Sequence, residues 1–332
     1  MRESGLFFLV FYISARMVTE TGVDIAKAAT FLNAGYPVGM PTETVYGLAA
    51  NALNPDAVLK IFSVKNRPHF DPLIVHVHSR EEIAKYVDEF PEWAQKLADA
   101  FMPGPVTLLL RKKNIVPDLV TSGLDKVAIR IPNHPVALAL LQQVPFPLAA
   151  PSANPFGYIS PTTAQHVYDQ LQGKIPYILD GGPTNVGVES TIVGYENDGP
   201  VVYRLGGLAI EQIENVIGKV NVQLNQSSNP QSPGMLKSHY APRKKLTIIE
   251  PGQLPVASTN TGVIAFDAYL PGIDKDKQVL LSATGNIDEA AKNLFAAMRT
   301  LDASNVDEIV AVKFPDTGLG RAINDRLKRA SA

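Results

Sequence analysis

Ten consecutive residues, Asn225 to Gly234, carry no large apolar side chain. Asn, Gln, Ser, Pro and Gly make up the whole run, a composition of turns rather than of packed elements. Such a stretch cannot enter a core, so the apolar segments on either side must close on themselves separately. Residues 223–243 are therefore expected to link two domains, 17–222 and 244–332. The chain has 332 residues and is 45% hydrophobic, enough apolar material for two cores.

The segment after the linker has a simple pattern. Leu246 to Ile249, Gly262 to Phe266, Gln278 to Leu281 and Glu308 to Val312 read as strands. Asn286 to Leu301 and Leu319 to Lys328 read as amphipathic helices. This alternation predicts a small Rossmann-like α/β domain. No Gly-x-Gly-x-x-Gly turn follows its first strand, so no dinucleotide is assigned to it. Gly318-Leu-Gly320-Arg321 could cradle an anion at the last helix, or simply open that helix.

The first 222 residues mix strands and helices without strict alternation, which predicts an α/β fold with one twisted mixed sheet and flanking helices. Helices are expected over Val23 to Leu32, Pro55 to Val64, Glu81 to Tyr86, Glu92 to Phe101, Pro135 to Gln142, Thr162 to Leu171 and Ala209 to Ile217. Ser160 is the expected cap of the helix at Thr162. Strands are expected at Tyr36 to Met40, Leu73 to Val77, Val106 to Leu110, Val127 to Ile131, Ile175 to Leu179, Ser190 to Gly194 and Val201 to Leu205. Leu6 to Ile13 is apolar but too short to span a bilayer, and no signal-peptide cleavage site follows it. Met17 is the expected functional start, with residues 1–16 an extension and the protein cytoplasmic.

Four polar sites fall at strand ends or in loops. Pro41-Thr-Glu-Thr-Val-Tyr-Gly-Leu-Ala49 follows a buried strand and is read as a corner leading to the next helix. It offers the hydroxyls of Thr42 and Thr44 and the carboxylate of Glu43. Lys65-x-Arg67 at a helix exit suits a polyphosphate, or a solvated helix end. Arg130 interrupts the apolar run Val-Ala-Ile-Arg-Ile, with Ser152 and Asn154 after the next strand. An unpaired buried charge is costly, so Arg130 either faces a polar cavity, where its fork would hold a carboxylate, or pairs with an acid. The fourth comprises Asp180-Gly-Gly182, Gly187-Val-Glu-Ser-Thr191 and Arg204 before Gly206-Gly207, read as an anion site or plain turns. His76 and His78 are expected on one face of their strand.

Composition narrows the function. Lys and Arg number 30 against 32 Asp and Glu, which argues against tight general nucleic-acid binding but leaves room for a basic patch. There is no Cys, so thiolate metal sites and disulfides are excluded, and the six His show no zinc spacing. No protein metal site is expected. Cationic groups, hydroxyls and imidazoles together suit binding a nucleotide and a small acid.

The strings Pro-Thr-Glu-Thr-Val-Tyr-Gly-Leu (41–48), Lys-Asn-Arg-Pro (65–68), Asp-Pro-Leu-Ile-Val-His (71–76), Pro-Gly-Pro-Val-Thr (103–107) and Val-Ala-Ile-Arg-Ile-Pro (127–132) resemble the YrdC-like family. So do Ala-Pro-Ser-Ala-Asn (150–154), Ser-Pro-Thr (160–162), Asp-Gly-Gly (180–182), Gly-Val-Glu-Ser-Thr-Ile-Val (187–193) and Arg-Leu-Gly (204–206). Ser232 to Pro242 resembles the signature linker of that family's long form, the two-domain threonylcarbamoyl-AMP synthases. One departure is Ala49, where the family usually has Gly. The resemblance implies synthesis of L-threonylcarbamoyladenylate and pyrophosphate from L-threonine, bicarbonate and ATP with Mg²⁺. It implies supply of that product to the tRNA threonylcarbamoyl-transfer machinery, for modification at position 37. By the same resemblance Lys65 and Arg67 are catalytic and hold phosphates. Thr42, Thr44, His76, Arg130, Ala150 and Ser190 bind threonine. Asp71, Ser152, Ser160, Arg204 and, more weakly, Lys126 bind ATP, with Tyr240 folding over it as part of a lid. The alternative is a non-catalytic RNA-binding module of the same fold, and weak RNA binding is compatible with either.

Overall fold

The computed structural model describes residues 17–196, 199–224, 239–255 and 260–332. The expected N-terminal extension and most of the linker lie outside the described residues. The strands are β1 (Glu20–Gly22), β2 (Val38–Met40), β3 (Gly47–Asn51), β4 (Ile74–His76), β5 (Val106–Arg111), β6 (Lys126–Arg130), β7 (Leu148–Ala149), β8 (Tyr177–Leu179), β9 (Thr191–Glu196), β10 (Gly199–Arg204) and β11 (Asn221–Val222). They form one 11-stranded sheet in the order β1-β8-β2-β3-β7-β4-β6-β5-β9-β10-β11. Parallel pairs such as β4–β6 and β5–β9 alternate with antiparallel pairs such as β5–β6 and β9–β10, so the sheet is mixed as expected.

Alternation along the central strands sorts their side chains onto two faces. Val75, Leu108, Val127, Ile129 and Val193 enter a large apolar core. In that core they meet residues of the helices Pro55–Lys65, Glu92–Phe101 and Ile210–Ile217. The opposite face carries His76, Thr107 and Arg130 beside a small apolar cluster that includes Ile74, Leu109 and Ile192. The register sets His76 directly beside Arg130 on neighbouring strands. An apolar strand with a buried arginine thus has one oily face and one polar face.

The helix Pro55–Lys65 shows why its motif sits where it does. Asn54 caps it by accepting from Asp56 N and Ala57 N, and Pro55 opens it. Asn66 takes a left-handed conformation at φ 52° and ends it, which turns Arg67 inward.

The second domain has four parallel strands, β12 (Lys245–Ile249), β13 (Thr261–Ala265), β14 (Gln278–Leu280) and β15 (Glu308–Val312), in the order β12-β15-β13-β14. Its helices Ile287–Ala303 and Gly320–Ala330 contribute nearly half of a second apolar cluster, and Val45, Ile159 and Val188 of the first domain insert into it. The two domains therefore share a packed interface beside the Thr42–Thr44 loop.

Three expectations need correction. The Pro41–Ala49 stretch does not lead into a helix: it turns back into β3, antiparallel to β2, through Val38↔Ala49 and Met40↔Gly47. The helix after Ser160 is Ala164–Leu171 and its cap is Thr163, which accepts from His166 N. The Ser160 hydroxyl is spent elsewhere, donating to Glu189 Oε1 at 2.6 Å. His76 and His78 do not share a strand face, because β4 ends at His76. His78 lies beside Glu82 and Lys85 in a separate depression.

Candidate active site

A narrow cleft of about 50 Å³ opens over the polar face of the sheet. Its walls include Thr42, Thr44, His76, Arg130, Ala150 and Ser190, and also Arg67, Ser152, Arg204 and Tyr240. These groups come from strand ends and loops spread over 198 positions of the chain, Thr42 to Tyr240, and only the fold brings them together.

Arg130 occupies the middle. Its Nη1 donates to Thr44 Oγ1 at 2.9 Å and its Nε to Gly104 O at 3.2 Å. Its Nη2 lies 2.7 Å from Glu43 Oε1 but makes no aligned hydrogen bond. Both readings of Arg130 hold: it pairs with an acid and it faces the cleft. The Thr42 hydroxyl donates to Val45 O at 2.6 Å, and Thr44 N and Val45 N reach back to its oxygen. That turn fixes the loop and presents Thr44 to Arg130. His76 is buried, and its Nδ1 has no hydrogen-bond partner among the described residues. Burial, and then the neighbouring Arg130 charge, push His76 down to about 3, so it is neutral at pH 7. On the far side Ser190 Oγ lies 2.7 Å from Thr107 Oγ1 and accepts from Arg204 Nη2 at 3.0 Å. Arg204 is buried and lowered to about 10 by that burial.

The two residues of the Lys-x-Arg motif behave differently. Arg67 lines the cleft, braced by Asp71 Oδ2 at 2.9 Å and by the carbonyls of Asp71 and Pro72. Asp71 therefore stands behind Arg67 and does not face the cleft. Lys65 does not line the cleft either. Its Nζ donates to the carbonyls of Ser152 and Asn154 and so ties down the Ala150–Asn154 loop. Complete burial holds its pKa well below the usual lysine value, with the Arg67 charge acting in the same direction. Ser160 is likewise one residue back, bonded to the cleft residue Glu189. Lys126 does not line the cleft: it begins β6 while Arg130 ends it, and its Nζ donates to Tyr195 O at 3.4 Å. Asp180 is engaged with Tyr46 OH and Gly182 N rather than with the cleft. Arg321 is held by Asp316 O and Glu211, which leaves the Gly318–Gly320 turn as an ordinary helix opening.

Tyr240 closes the cleft from the second domain's side. It has φ 66°, unusual for a non-glycine residue, and is buried. Its ring stacks on Phe295 at 5.5 Å and lies 5.0 Å from the Arg326 guanidinium. Arg326, fully buried, also pairs with Glu189 Oε2 at 2.8 Å and donates to Leu205 O. The Arg326 charge, with Arg204 and the Ser160 hydroxyl, outweighs burial and holds the Glu189 carboxyl below its ordinary value. Sequence reasoning missed Glu189 and His239 in the cleft wall, although both stand inside strings it had singled out. It also missed the apolar lining of Val45, Ile74 and Pro151, whose side chains carry no chemical signal, whereas Gly47, expected to let the backbone approach a ligand, does line the cleft. His239 sits edge-on to Phe156 and Tyr240 at 5.6 and 4.2 Å, and burial lowers it to about 3.

Comparison with known proteins bears on this cleft. Residues 30–206 match the family model of the Sua5, YciO and YrdC proteins, described as telomere recombination. Residues 208–332 match the C-terminal domain of threonylcarbamoyl-AMP synthase. The threonylcarbamoyl-AMP synthase of Pyrococcus abyssi is 42% identical over 92% of this chain and 94% of its own length. The chain belongs to the threonylcarbamoyl-AMP synthase family. It has the family's two-domain form, as the resemblance implied. The Bacillus subtilis synthase is also 42% identical, over 93% of each chain. The crystal structure of P. abyssi Sua5 complexed with L-threonine superimposes with a TM-score of 0.85 at 39% identity, covering 95% of this chain and 97% of that one. Membership covers both domains, so the cleft, which takes Tyr240 from the segment between them, is a feature of the whole chain.

Proposed function

We infer that this chain is a threonylcarbamoyl-AMP synthase, converting L-threonine, bicarbonate and ATP to threonylcarbamoyl-AMP and pyrophosphate. The observation that carries the inference is the convergence of two unlike sets of groups on one cleft. Thr44, His76, Arg130 and Ser190 suit an amino acid, while Arg67, Ser152, Arg204 and Tyr240 suit a nucleotide. The P. abyssi relative was crystallised with L-threonine, and the same substrate fits the first set.

The reaction has two bond-forming steps. The threonine amine adds to bicarbonate carbon and loses water, giving a carbamate. A carbamate oxygen then attacks the α-phosphorus of ATP as the bond to pyrophosphate breaks. Little covalent work is asked of the protein; it must align the carbamate and offset charge on the leaving group. Arg130 offers its positive charge to the threonine carboxylate from the cleft wall, while Thr44, Gly104 and Glu43 hold the guanidinium still. His76 offers the substrate a neutral imidazole wall rather than a charge. Arg67 offsets charge on the phosphates. Lys65 acts first through the loop it ties down, and reaches a phosphate only by exchanging a carbonyl for it. Arg204, Ser152 and Tyr240 bound the nucleotide, and Tyr240 helps keep water from the labile mixed anhydride.

Mg²⁺ enters with ATP as part of the substrate. The acids nearest the cleft, Glu43, Asp71 and Glu189, are each paired with an arginine. Among the described residues no group of three potential ligands could hold an ion. The ion's oxygens would then come from phosphates and water, which suits its reluctance to dehydrate. The product passes to the machinery that forms threonylcarbamoyladenosine at position 37 of tRNA. A cytoplasmic location goes with that role. No described helix is long and apolar enough to cross a membrane.

Labelled bicarbonate, ATP, Mg²⁺ and L-threonine with purified protein test this reading. The label should appear in an adenylate that contains threonine. If the label stays in bicarbonate while the protein binds tRNA in a salt-dependent way, the RNA-binding alternative replaces it.

A further inference from the structure

A second cavity, of about 580 Å³, lies between the two domains and shares no lining residue with the cleft. Tyr158, His166 and Gln170 line it from the first domain. Arg243 lines it from the segment after Tyr240, and Arg299 from the helix Ile287–Ala303. Arg299 is buried, and among the described residues no carboxylate forms an ion pair with it. Arg67, Arg130, Arg326 and Arg329 are also buried, and each has a carboxylate partner. Arg299 instead reaches across the interface to neutral acceptors: Nε donates to Ser160 O at 3.3 Å, and Nη2 to Ile159 O and to Gln170 Oε1 at 3.0 Å. Its ring neighbour is Tyr158, 5.2 Å away. Burial lowers Arg299 to about 10, which leaves it charged at pH 7. A buried charge without a counter-charge is costly.

Three donors among these lining residues are unspent. Arg299 Nη1 bonds to no described residue, and neither does Arg243 Nη1, whose neighbours Nε and Nη2 are held by Asp302. His166 Nδ1 accepts from Thr162 N at 3.3 Å, which puts the proton of the neutral ring on Nε2. Burial lowers His166 to about 4, so the ring is neutral at pH 7. The acid in the wall is Asp169, an exposed residue that already accepts from Gln165 Nε2 at 2.6 Å. Asp302 is taken up by Arg243, by Tyr158 OH and by Lys244 N. We propose that this interdomain cavity is a second binding site, for a small phosphate-bearing anion whose phosphate group seats on Arg299 Nη1 between Arg243 and His166. Two guanidinium groups and an imidazole N–H match the several acceptor oxygens of a phosphate. The cavity is far larger than a carboxylate needs, and the burial of Arg299 keeps it from the backbone of a nucleic-acid duplex. The bound charge would offset the burial of Arg299 and so fasten the Ile159 and Ser160 carbonyls to the second domain. Ser160 also holds Glu189 of the cleft wall, so the two sites are joined through one residue. Binding here does not depend on the reaction assigned to the cleft.

Calorimetric titration of the full chain with inorganic phosphate, pyrophosphate and AMP, each in turn, tests the site. Arg299→Lys keeps the charge but has one nitrogen where the fork had three. Arg243→Gln changes a mostly exposed side chain and leaves the interface packed, so it serves if Arg299→Lys fails to fold. In each variant one class of bound anion should weaken about tenfold or more, the loss of one charge-assisted hydrogen bond, while threonine affinity stays within about twofold. The same anion should raise the melting temperature of wild type more than that of either variant. Phosphate or pyrophosphate as the affected anion makes the ligand an inorganic one, and AMP makes it a nucleotide; either result supports the site. Equal affinity and stoichiometry for all three anions in wild type and both variants overturns it. So does a loss confined to tRNA binding, which would make these arginines part of an RNA surface. Absence of threonine-dependent pyrophosphate release would count against the synthase reading and leave this test unaffected.

Discussion

Replacing Arg130 by Lys separates the two uses of that residue. The guanidinium has three nitrogens at work: Nε on Gly104 O, Nη1 on Thr44 Oγ1, and Nη2 beside Glu43 without an aligned hydrogen bond. A lysine keeps the charge that offsets Glu43 but has one nitrogen. It cannot hold the Thr44 loop and present a fork to a carboxylate together. Losing one charge-assisted hydrogen bond costs about 1.5–3 kcal/mol, a rise of about 10- to 150-fold in threonine KM. Arg130→Met would be a poorer probe. It strands the buried Glu43 carboxylate, and stranding a buried charge costs about 3–5 kcal/mol of stability. The assay is initial-rate pyrophosphate release against threonine concentration at saturating ATP and bicarbonate. ATP KM, measured on the same variant, should change less than threefold. A threonine KM within twofold of wild type would refute the reasoning and leave Arg130 a purely structural partner of Glu43.

Tyr240→Ala removes the ring that closes the cleft and should raise ATP KM about tenfold or lower adenylate yield per pyrophosphate, read by paired assay of both products; unchanged values would mean that Tyr240 only packs on Phe295. Arg326→Met strands Glu189 across the domain interface and should cost about 3–5 kcal/mol in urea unfolding, whereas a loss under 1 kcal/mol would show that water reaches this pair. His76 and His239, each lowered to about 3 by burial, bind more protons unfolded than folded once pH drops below about 6.5. Stability should therefore fall as pH falls from 7.5 to 5.5, by about 1.4 kcal/mol for each histidine. Urea titrations at both pH values check this, and His239→Phe should remove its own share, about 1.4 kcal/mol, leaving the parts due to His76 and to His134 and His166, which burial also lowers.

Much of the fold was legible because its signals are local. Asn54-Pro55 announced a helix start, and the apolar runs at 73–77 and 127–131 announced buried strands. Energetic grounds allow Arg130 inside one such run either a polar cavity or a paired acid, and it has both. What stayed hidden depends on pairing partners far away in sequence. Gly47–Asn51 reads as a loop because Gly, Ala and Asn have low strand propensity, yet β2 and β7 capture it as a central strand. The partition of the Lys-x-Arg motif is likewise tertiary: nothing near Lys65 says that carbonyls 87 and 89 residues away will take its protons. Thr163, not Ser160, caps its helix because Glu189 claims the Ser160 hydroxyl first. The role of Arg326 was invisible for the same reason, since Glu189 and Tyr240 meet it only across the domain interface.

The central claim is that one cleft joins an amino acid, bicarbonate and a nucleotide in a single reaction. Pyrophosphate release from MgATP, measured with each of L-threonine and bicarbonate left out in turn, tests it most directly. Release should require both, with either omission reducing the rate at least tenfold. Release that continues at full rate without threonine, or without bicarbonate, would contradict the claim and reduce the cleft to a site for general ATP cleavage.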